Sequence, residues 1–285
     1  MINDMKKWST LLAVATLTLG LAACNETAAP ANEKDVTEKS ELTLQEVYDK
    51  SMAASEELKS VKAKIDMKQT MQLPGQDVNL DINSLMDMDY IIDPLQIHQT
   101  GTTSMKSTDE NMGNQEMKME SYITKDAFYT YEGESGQWMK FPQEMMNQLM
   151  STTDQSNPSN QLKQIEGYLE DFTFEQDNDN YILTLEASGE KFTELVKEQV
   201  DEALQNMVGV EEIEMDMIIN SVNYLIHIDK ETFQTNKVDM VLDMDMTIDG
   251  ETMNMKQDMK SDFSNFNQVE EIVIPQEVID NAVEI

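Results

Sequence analysis

Alternation of apolar and polar residues near the carboxyl end constrains the fold of this chain more than any other feature. The apolar residues of 238–248 fall mainly on even positions and those of 253–263 on odd positions, with Asp249-Gly250 between the runs. A period of two predicts β-strands with one buried face, and Asp-Gly favours a two-residue hairpin turn. One register about that turn satisfies both faces of the hairpin. Its pairs are Met246 with Met253, Met244 with Met255, Met240 with Met259, Asp243 with Lys256, and Asp239 with Lys260.

The same alternation recurs upstream, over residues 61–71 and 78–92. Residues 43–59 and 190–207 instead repeat their apolar positions at three and four, which predicts amphipathic helices. Thr43 and Glu46 have the spacing of a capping box at the start of the first helix. These patterns predict an α+β fold, a strongly curved antiparallel sheet or half-barrel whose concave face is covered by the amphipathic helices.

A second hairpin is predicted from residues 128–131 and 138–141, around a glycine-containing loop. Proline cannot take the positive φ of a type I′ turn, so Asp249→Pro should damage the first hairpin. We expect Gly133→Ala to be milder, because its loop is longer.

The amino terminus has the order of a secretory signal. Lys6 and Lys7 precede an apolar stretch over residues 11–21, and small residues precede Cys24, the sole cysteine. Leu21-Ala22-Ala23-Cys24 resembles the bacterial lipobox, which implies a diacylglyceryl group on the Cys24 thiol and cleavage before it. Translation can start at Met1 or at Met5. We therefore expect a signal peptide over 1–23, a lipidated, flexible, acidic tether over 24–42 and a single domain over 43–285.

Composition excludes some classes of partner. A formal net charge of −35 and a pI near 4.1 oppose a nucleic-acid surface, since such a surface must neutralise phosphates. A hydrophobic content of 40% with clear periodicity indicates a chain that buries a core. With one cysteine, assigned to the lipid, the domain has no disulfide.

Motifs for catalysis or metal binding are sparse. The chain has no Gly-x-Ser-x-Gly and no glycine-rich phosphate loop. His98 and His227 lie in strand-like segments, and neither has a metal-ligand spacing with Cys or with a second His. We predict a protein that is not an enzyme, with no catalytic residue, no metal site and no cofactor.

Methionine is unusually frequent, with 24 residues. Thioethers select Cu(I), and Met-x-Met recurs here, so soft-metal binding is one hypothesis. The alternative that we favour is packing or cavity lining, because methionine is adaptable and alternate spacing is what one strand face requires. The candidate ligand cavity consists of Met86, Met88, Met240, Met244, Met246, Met253, Met255 and Met259.

Several segments together resemble a known family. They are YITKD at 122–126, QWMK at 137–140, IDKET at 228–232 and IPQEV at 274–278. In this pattern the chain is similar to the DUF6612 lipoproteins of Gram-positive bacteria, a group that resembles the LolA and LppX superfamily of envelope lipoprotein carriers. That superfamily holds acyl chains between sheet and helices, so the resemblance implies a hydrophobic ligand.

Two functions remain open at this point. One is a lipoprotein of the cell envelope, held outside the cytoplasm by its N-terminal lipid (palmitate or a similar acyl chain), that binds or carries an acyl or lipid-like ligand. The other is a structural or sensory surface lipoprotein without a ligand, which acts through protein contacts. An apolar cavity between sheet and helices would distinguish them.

Overall fold

The computed structural model describes residues 27–31, 36–37, 39–72, 78–109, 113–133, 135–142, 166–188, 193, 215–248 and 250–284. Cys24 and the predicted signal peptide lie outside these residues, as does the predicted helix at 190–207 apart from Thr193.

One thirteen-stranded sheet organises the described part of the chain. Its strand order is β1-β8-β9-β10-β11-β12-β2-β3-β4-β5-β6-β7-β13, so the sheet is curved but not closed, and the predicted α+β half-barrel is confirmed. Neighbours pair antiparallel except at the edges, where β1 and β13 run parallel to β8 and β7. The strands are β1 (Ala29–Pro30), β2 (Ser60–Gln72), β3 (Asn79–Ile91), β4 (Gln96–Ser107), β5 (Gln115–Thr124), β6 (Phe128–Glu132), β7 (Gln137–Phe141), β8 (Thr173–Gln176), β9 (Asn180–Ala187), β10 (Met215–Asp229), β11 (Thr235–Ile248), β12 (Glu251–Ser264) and β13 (Val283–Glu284).

The hairpin of β11 and β12 has the predicted register. All five predicted pairs occur, from Met246 with Met253 to Asp239 with Lys260. The rows continue into β2, where Met71 lies opposite Met255 and Met67 lies opposite Met259. Because paired residues point to the same side, the even positions of β3 and β11 and the odd positions of β2 and β12 form one surface, the methionine face.

The opposite surface, the charged face, carries cross-strand ion pairs. Lys62 lies 2.7 Å from Asp89, and Lys256 lies 2.9 Å from Asp243. Hydrogen bonds from Lys256 and Asn254 lower the pKa of Asp243. Solvent-accessible pairs of this kind contribute little to stability, and they agree with the register that alternation and the hairpin turn set.

Helix α1 (Leu44–Glu56) packs against the methionine face. Its capping box is formed as predicted: the Thr43 hydroxyl accepts from the Glu46 backbone N–H at 3.3 Å, and the Glu46 carboxylate accepts from the Thr43 N–H at 2.9 Å. Leu44 and Val47 are fully buried in the main core. The helix is thus positioned by its cap and held by its apolar stripe. Two other helical segments are described, a 3₁₀-helix (Glu166–Asp171) and α2 (Gln276–Asn281).

Part of the segment predicted as a flexible tether is in contact with the domain. Thr27 forms a bridge with Thr43, Ala28 is buried, and β1 pairs with β8. The fully buried side chain of Gln176 bonds to two parts of this segment, near residue 28 and near residue 40. Its amide donates to the Ala28 carbonyl at 2.7 Å and accepts from the Ser40 N–H at 2.9 Å. The tether prediction over 24–42 therefore does not apply to residues 27–31, which belong to the sheet edge.

Gln176→Leu should lower the free energy of unfolding by about 2–4 kcal/mol, because it leaves the Ala28 carbonyl and the Ser40 N–H without their partner. Urea denaturation would measure this loss, and hydrogen exchange should show reduced protection near residue 31. Gln72→Leu makes the same change at an exposed strand end. Equal stability of the two variants would contradict a role for Gln176 in holding the amino-terminal segment.

The opposite edge of the sheet is covered by the C-terminal strap, residues 268–284. The strap crosses the charged face, where the Ile272 N–H donates to the Gln96 side chain at 2.9 Å. Val278 of α2 is buried against Tyr122 and Tyr129, and β13 then pairs with β7. Each end of the sheet thus finishes in a two-residue strand, and very short edge strands disfavour edge-to-edge association.

The expectation that Gly133→Ala is milder than Asp249→Pro stays a prediction, but the structure leaves no room for an alanine side chain at Gly133. A Cβ at this position would lie 2.7 Å from the Lys118 carbonyl oxygen and 3.0 Å from its nitrogen. Length does not make this loop forgiving, because the contact is with the backbone of β5, which cannot rotate away. Asp249 lies outside the described residues, while its neighbour Gly250 has φ +82°, as a tight hairpin turn requires.

Gly133→Ala should therefore lower the free energy of unfolding by about 1–3 kcal/mol through backbone displacement. Gly167→Ala is the matched control, since no atom lies within 4 Å of its added Cβ. Thermal denaturation of both variants checks this. A Gly133→Ala protein as stable as Gly167→Ala would show that the loop moves freely away from β5.

Candidate functional site

All eight predicted cavity methionines lie on the methionine face. The six in β11 and β12 meet in three cross-strand pairs. Met86 and Met88 of β3 lie opposite Ile65 and Ala63 of β2, whose residues continue the rows of β12. The sheet therefore brings together residues that are more than 150 positions apart in sequence.

Packing divides these methionines into two groups, those that belong to or contact a buried core and those that do not. Met244 is only 5% exposed and belongs to the main core, against which Met246 and Met255 pack. Met88 packs against a second core at the end of β2 to β5, which contains Val61, Tyr90, Ile97 and Ile123. The four remaining methionines are half-buried and belong to neither core. They are Met86, Met240, Met253 and Met259.

The sheet position next to Met86 has no side chain, because it is a glycine. Its cross-strand partner in β4 is Gly101, where a Cβ would be 2.6 Å from the Leu85 carbonyl oxygen and 3.1 Å from the Met86 Cγ. Glycine therefore lets the Met86 side chain extend over β4. The Gln99 side chain donates to the Met86 sulfur at 3.1 Å.

Hydroxyl groups interrupt the apolar surface around these methionines. Ser84 is buried beside Thr103, with 3.0 Å between the two hydroxyl oxygens, and Ser261 is buried on β12. An apolar surface with a few fixed polar groups is the usual lining of a small-molecule site. The arrangement suits a ligand that is mainly apolar.

The described residues contain no group of three or more His, Cys, Asp or Glu side chains that could hold a metal ion. His98 lies on the charged face, 3.0 Å from a Glu120 oxygen and stacked on Tyr122 at 4.4 Å. Burial, followed by the charge of Lys237, lowers the pKa of His227. His98 lies in β4 and His227 lies in β10, and each is a residue of a sheet face.

Two surface pockets lie under the C-terminal strap, away from the methionines. One of about 440 Å³ is lined by Lys62, Asp89, His98 and Tyr122 with residues 268 and 270–273. The other, of about 460 Å³, lies between the β6–β7 hairpin and α2. Sequence reasoning missed both, because they depend on a strap whose short apolar pattern at 272–278 does not indicate which surface it covers.

Comparisons with known proteins address the family and the fold. The model of the Family of unknown function (DUF6612) matches residues 43–283. No curated protein matches. No helix in the described part of the chain has both the length and the apolarity to cross a bilayer.

Solved structures with a similar arrangement have low sequence identity. LprF from Mycobacterium bovis is 13% identical with a TM-score of 0.36, over 81% of this chain and 95% of that one. A DUF1329 family protein from Desulfovibrio piger is 11% identical with a TM-score of 0.21, over 78% and 91% of the two chains. A DUF1849 protein from Brucella abortus is 8% identical with a TM-score of 0.21, over 73% and 99%. Likenesses at this level carry no inference about a ligand.

Proposed function

The chain belongs to the DUF6612 family, a family of unknown function, and from its own residues we propose that it is an exported lipoprotein that binds an apolar ligand. Cys24 carries the lipid, and the ligand lies against the half-buried part of the methionine face. The observation that carries the proposal is the position of Met86, Met240, Met253 and Met259, which share one face and are left half-buried beside filled cores.

The physical chemistry of that surface favours an acyl or lipid-like ligand. Thioether side chains are unbranched and polarizable, so they adapt to flexible apolar partners of varied shape. Two buried cores flank this surface, and a surface that is organised before the ligand arrives reduces the entropic cost of binding. A bound ligand would cover the apolar surface that the half-buried methionines still expose to water.

The anchor is supported by the signal, the small residues before Cys24 and the absence of any other cysteine. Two acyl chains on one residue supply stable membrane attachment, at about 0.8 kcal/mol for each buried CH₂. Thr27 is already held against Thr43, and an extended chain spans at most about 3.5 Å per residue. Three residues from Cys24 to Thr27 would keep this edge of the sheet within about 10 Å of the lipid.

Native mass spectrometry of the protein extracted from membranes tests the ligand. We expect the mass of the lipidated chain plus one copurified acyl compound, and removal of that compound by delipidation. A protein that carries its N-terminal lipid but takes up no further lipid, even after incubation with vesicles, would contradict ligand binding and leave the anchor intact.

Met240→Asp should weaken binding of a fluorescent fatty-acid probe at least tenfold, because a carboxylate beside an apolar ligand must lose hydration. Val241→Asp is the matched control. It adds the same charge to the next residue of the strand, which is 43% exposed on the charged face. Fluorescence titration of both folded variants measures the difference. Equal affinities would exclude this part of the methionine face as the ligand site.

The second candidate function is a surface lipoprotein that acts through a protein partner. Apolar side chains on the charged face favour it, since Leu85 is 56% exposed and Ile218 is 55% exposed. Exposed apolar side chains amid charges are common at protein contacts. A Leu85→Lys, Ile218→Lys double variant that retains lipid but loses a copurifying protein would support this function.

A further inference from the structure

The pocket between the β6–β7 hairpin and the C-terminal strap has a chemical character that the methionine face lacks. Its volume is about 460 Å³, within the range of small-molecule sites. It lies on the opposite side of the sheet from the methionines. Its described lining consists of Tyr131, Gly136, Gln137, Trp138, Glu277, Asn281 and Val283.

Aromatic rings form one wall of this pocket. The Trp138 ring lies 5.6 Å from the Tyr131 ring at an interplanar angle of 57°, and 5.8 Å from the Tyr122 ring at 42°. Tyr122 is buried behind Trp138, which is itself half-buried. Two of these three rings, Tyr131 and Trp138, border the pocket.

Charge in the pocket is negative. Glu277 is exposed on α2, and it carries the single charged group among the described lining residues. The nearby cation Lys140 is already engaged by Glu284 at 2.7 Å. The Tyr122 hydroxyl, behind the wall, donates to the Glu120 carboxylate at 2.9 Å, and burial, that hydrogen bond and the charges of Glu120 and Glu277 raise the pKa of Tyr122 to about 12. A net charge of −35 adds a field that attracts cations.

We propose that this pocket binds a quaternary ammonium group, of the kind found in choline. The faces of Trp and Tyr attract such a cation through their quadrupoles, and a quaternary ammonium loses little hydration when it leaves water. Glu277 supplies the counter-charge, and the side chains of Gln137 and Asn281 complete the polar part of the lining, with the Asn281 amide donating to the Glu277 carbonyl at 2.7 Å. This site is independent of the proposed apolar ligand.

Tryptophan fluorescence tests the proposal directly. The chain has two tryptophans, Trp8 and Trp138, so the full chain with Trp8→Phe retains a single reporter at the pocket. We expect choline to change Trp138 emission saturably in a maltoside detergent. The neutral isostere 3,3-dimethyl-1-butanol should have no effect at the same concentrations. Binding of both compounds with equal affinity would reduce the pocket to an apolar groove and overturn the proposal.

Variants separate the cation site from a general attraction by charge. By calorimetry, Trp138→Leu should weaken choline binding about five- to thirtyfold, and Tyr131→Leu provides the same test if Trp138→Leu fails to fold. Glu277→Gln should weaken it about threefold. Glu271→Gln removes the same charge from the same strap but lines the other pocket, so it should not change binding. Equal losses for Glu277→Gln and Glu271→Gln would overturn the assignment.

A separate experiment with lipid vesicles tests whether the ammonium group belongs to a lipid headgroup or to a free small molecule. Phosphatidylcholine vesicles should change Trp138 emission if the group belongs to a lipid headgroup, whereas phosphatidylglycerol vesicles should not. Saturable binding of choline without a response to either vesicle would identify a free small molecule. Absence of a choline response in the folded protein would overturn the site.

Discussion

Cys24→Ala should abolish incorporation of radiolabelled fatty acid into the protein. The lipobox resemblance assigns the diacylglyceryl group to the thiol of Cys24, and the sequence contains no second cysteine that could substitute. The label is the decisive measurement, because an uncleaved signal could itself hold the variant at the membrane. Expression in a Gram-positive host followed by extraction and autoradiography checks the result.

Trp8→Phe is the matched control for this experiment. It changes the same predicted signal segment but retains Cys24, so it should label as the wild type does. Equal labelling of Cys24→Ala and wild type would contradict both the proposed lipid anchor and the proposed localisation outside the cytoplasm. The methionine-face experiments would keep their meaning in that case, since they concern residues of the domain alone.

The register of the sheet could be predicted from sequence because it depends on local signals. Alternation fixes which residues share a face, and the Asp249-Gly250 turn fixes which residues pair. Both are readable within one hairpin, and the predicted pairs of β11 and β12 all occur. The start of α1 was predictable for the same reason, since Thr43 and Glu46 are three residues apart.

How deeply each residue of the methionine face is buried could not be predicted in this way. Alternation places Met240 and Met244 on one side equally, but only Met244 lies deep in the core that α1 covers. That difference depends on where a helix more than 180 residues away in sequence comes to lie. The candidate cavity of eight methionines therefore contains at least one residue that fills a core.

The contacts of polar and small residues were also missed by the sequence-based predictions. Gln176 is fully buried, yet nothing in its neighbourhood distinguishes it from an exposed glutamine, because its partners are backbone groups of residues 28 and 40. Gly133 is constrained by the Lys118 backbone of another strand. Contacts of this kind leave no periodic signal, so they emerge only when the strands are placed side by side.

Met244→Asp should lower the free energy of unfolding by about 4 kcal/mol or more at neutral pH, because it places a carboxylate in a filled apolar core. Met244 is 5% exposed and pairs with Ile219 on one side and Met255 on the other. Burial disfavours the ionised carboxyl, so the folded-state pKa of the new aspartate should rise above its unfolded value of about 3.9.

The sign of the pH dependence follows from that rise. A group whose folded pKa is raised destabilises the fold most where the unfolded chain is ionised, so the loss relative to wild type should be larger at pH 7 than at pH 4. Urea denaturation of both proteins at the two pH values measures it. Met244→Leu conserves volume and should cost less than about 1.5 kcal/mol. A Met244→Asp protein as stable as Val241→Asp at pH 7 would mean that water reaches Met244, which would return this residue to the ligand-facing part of the methionine face.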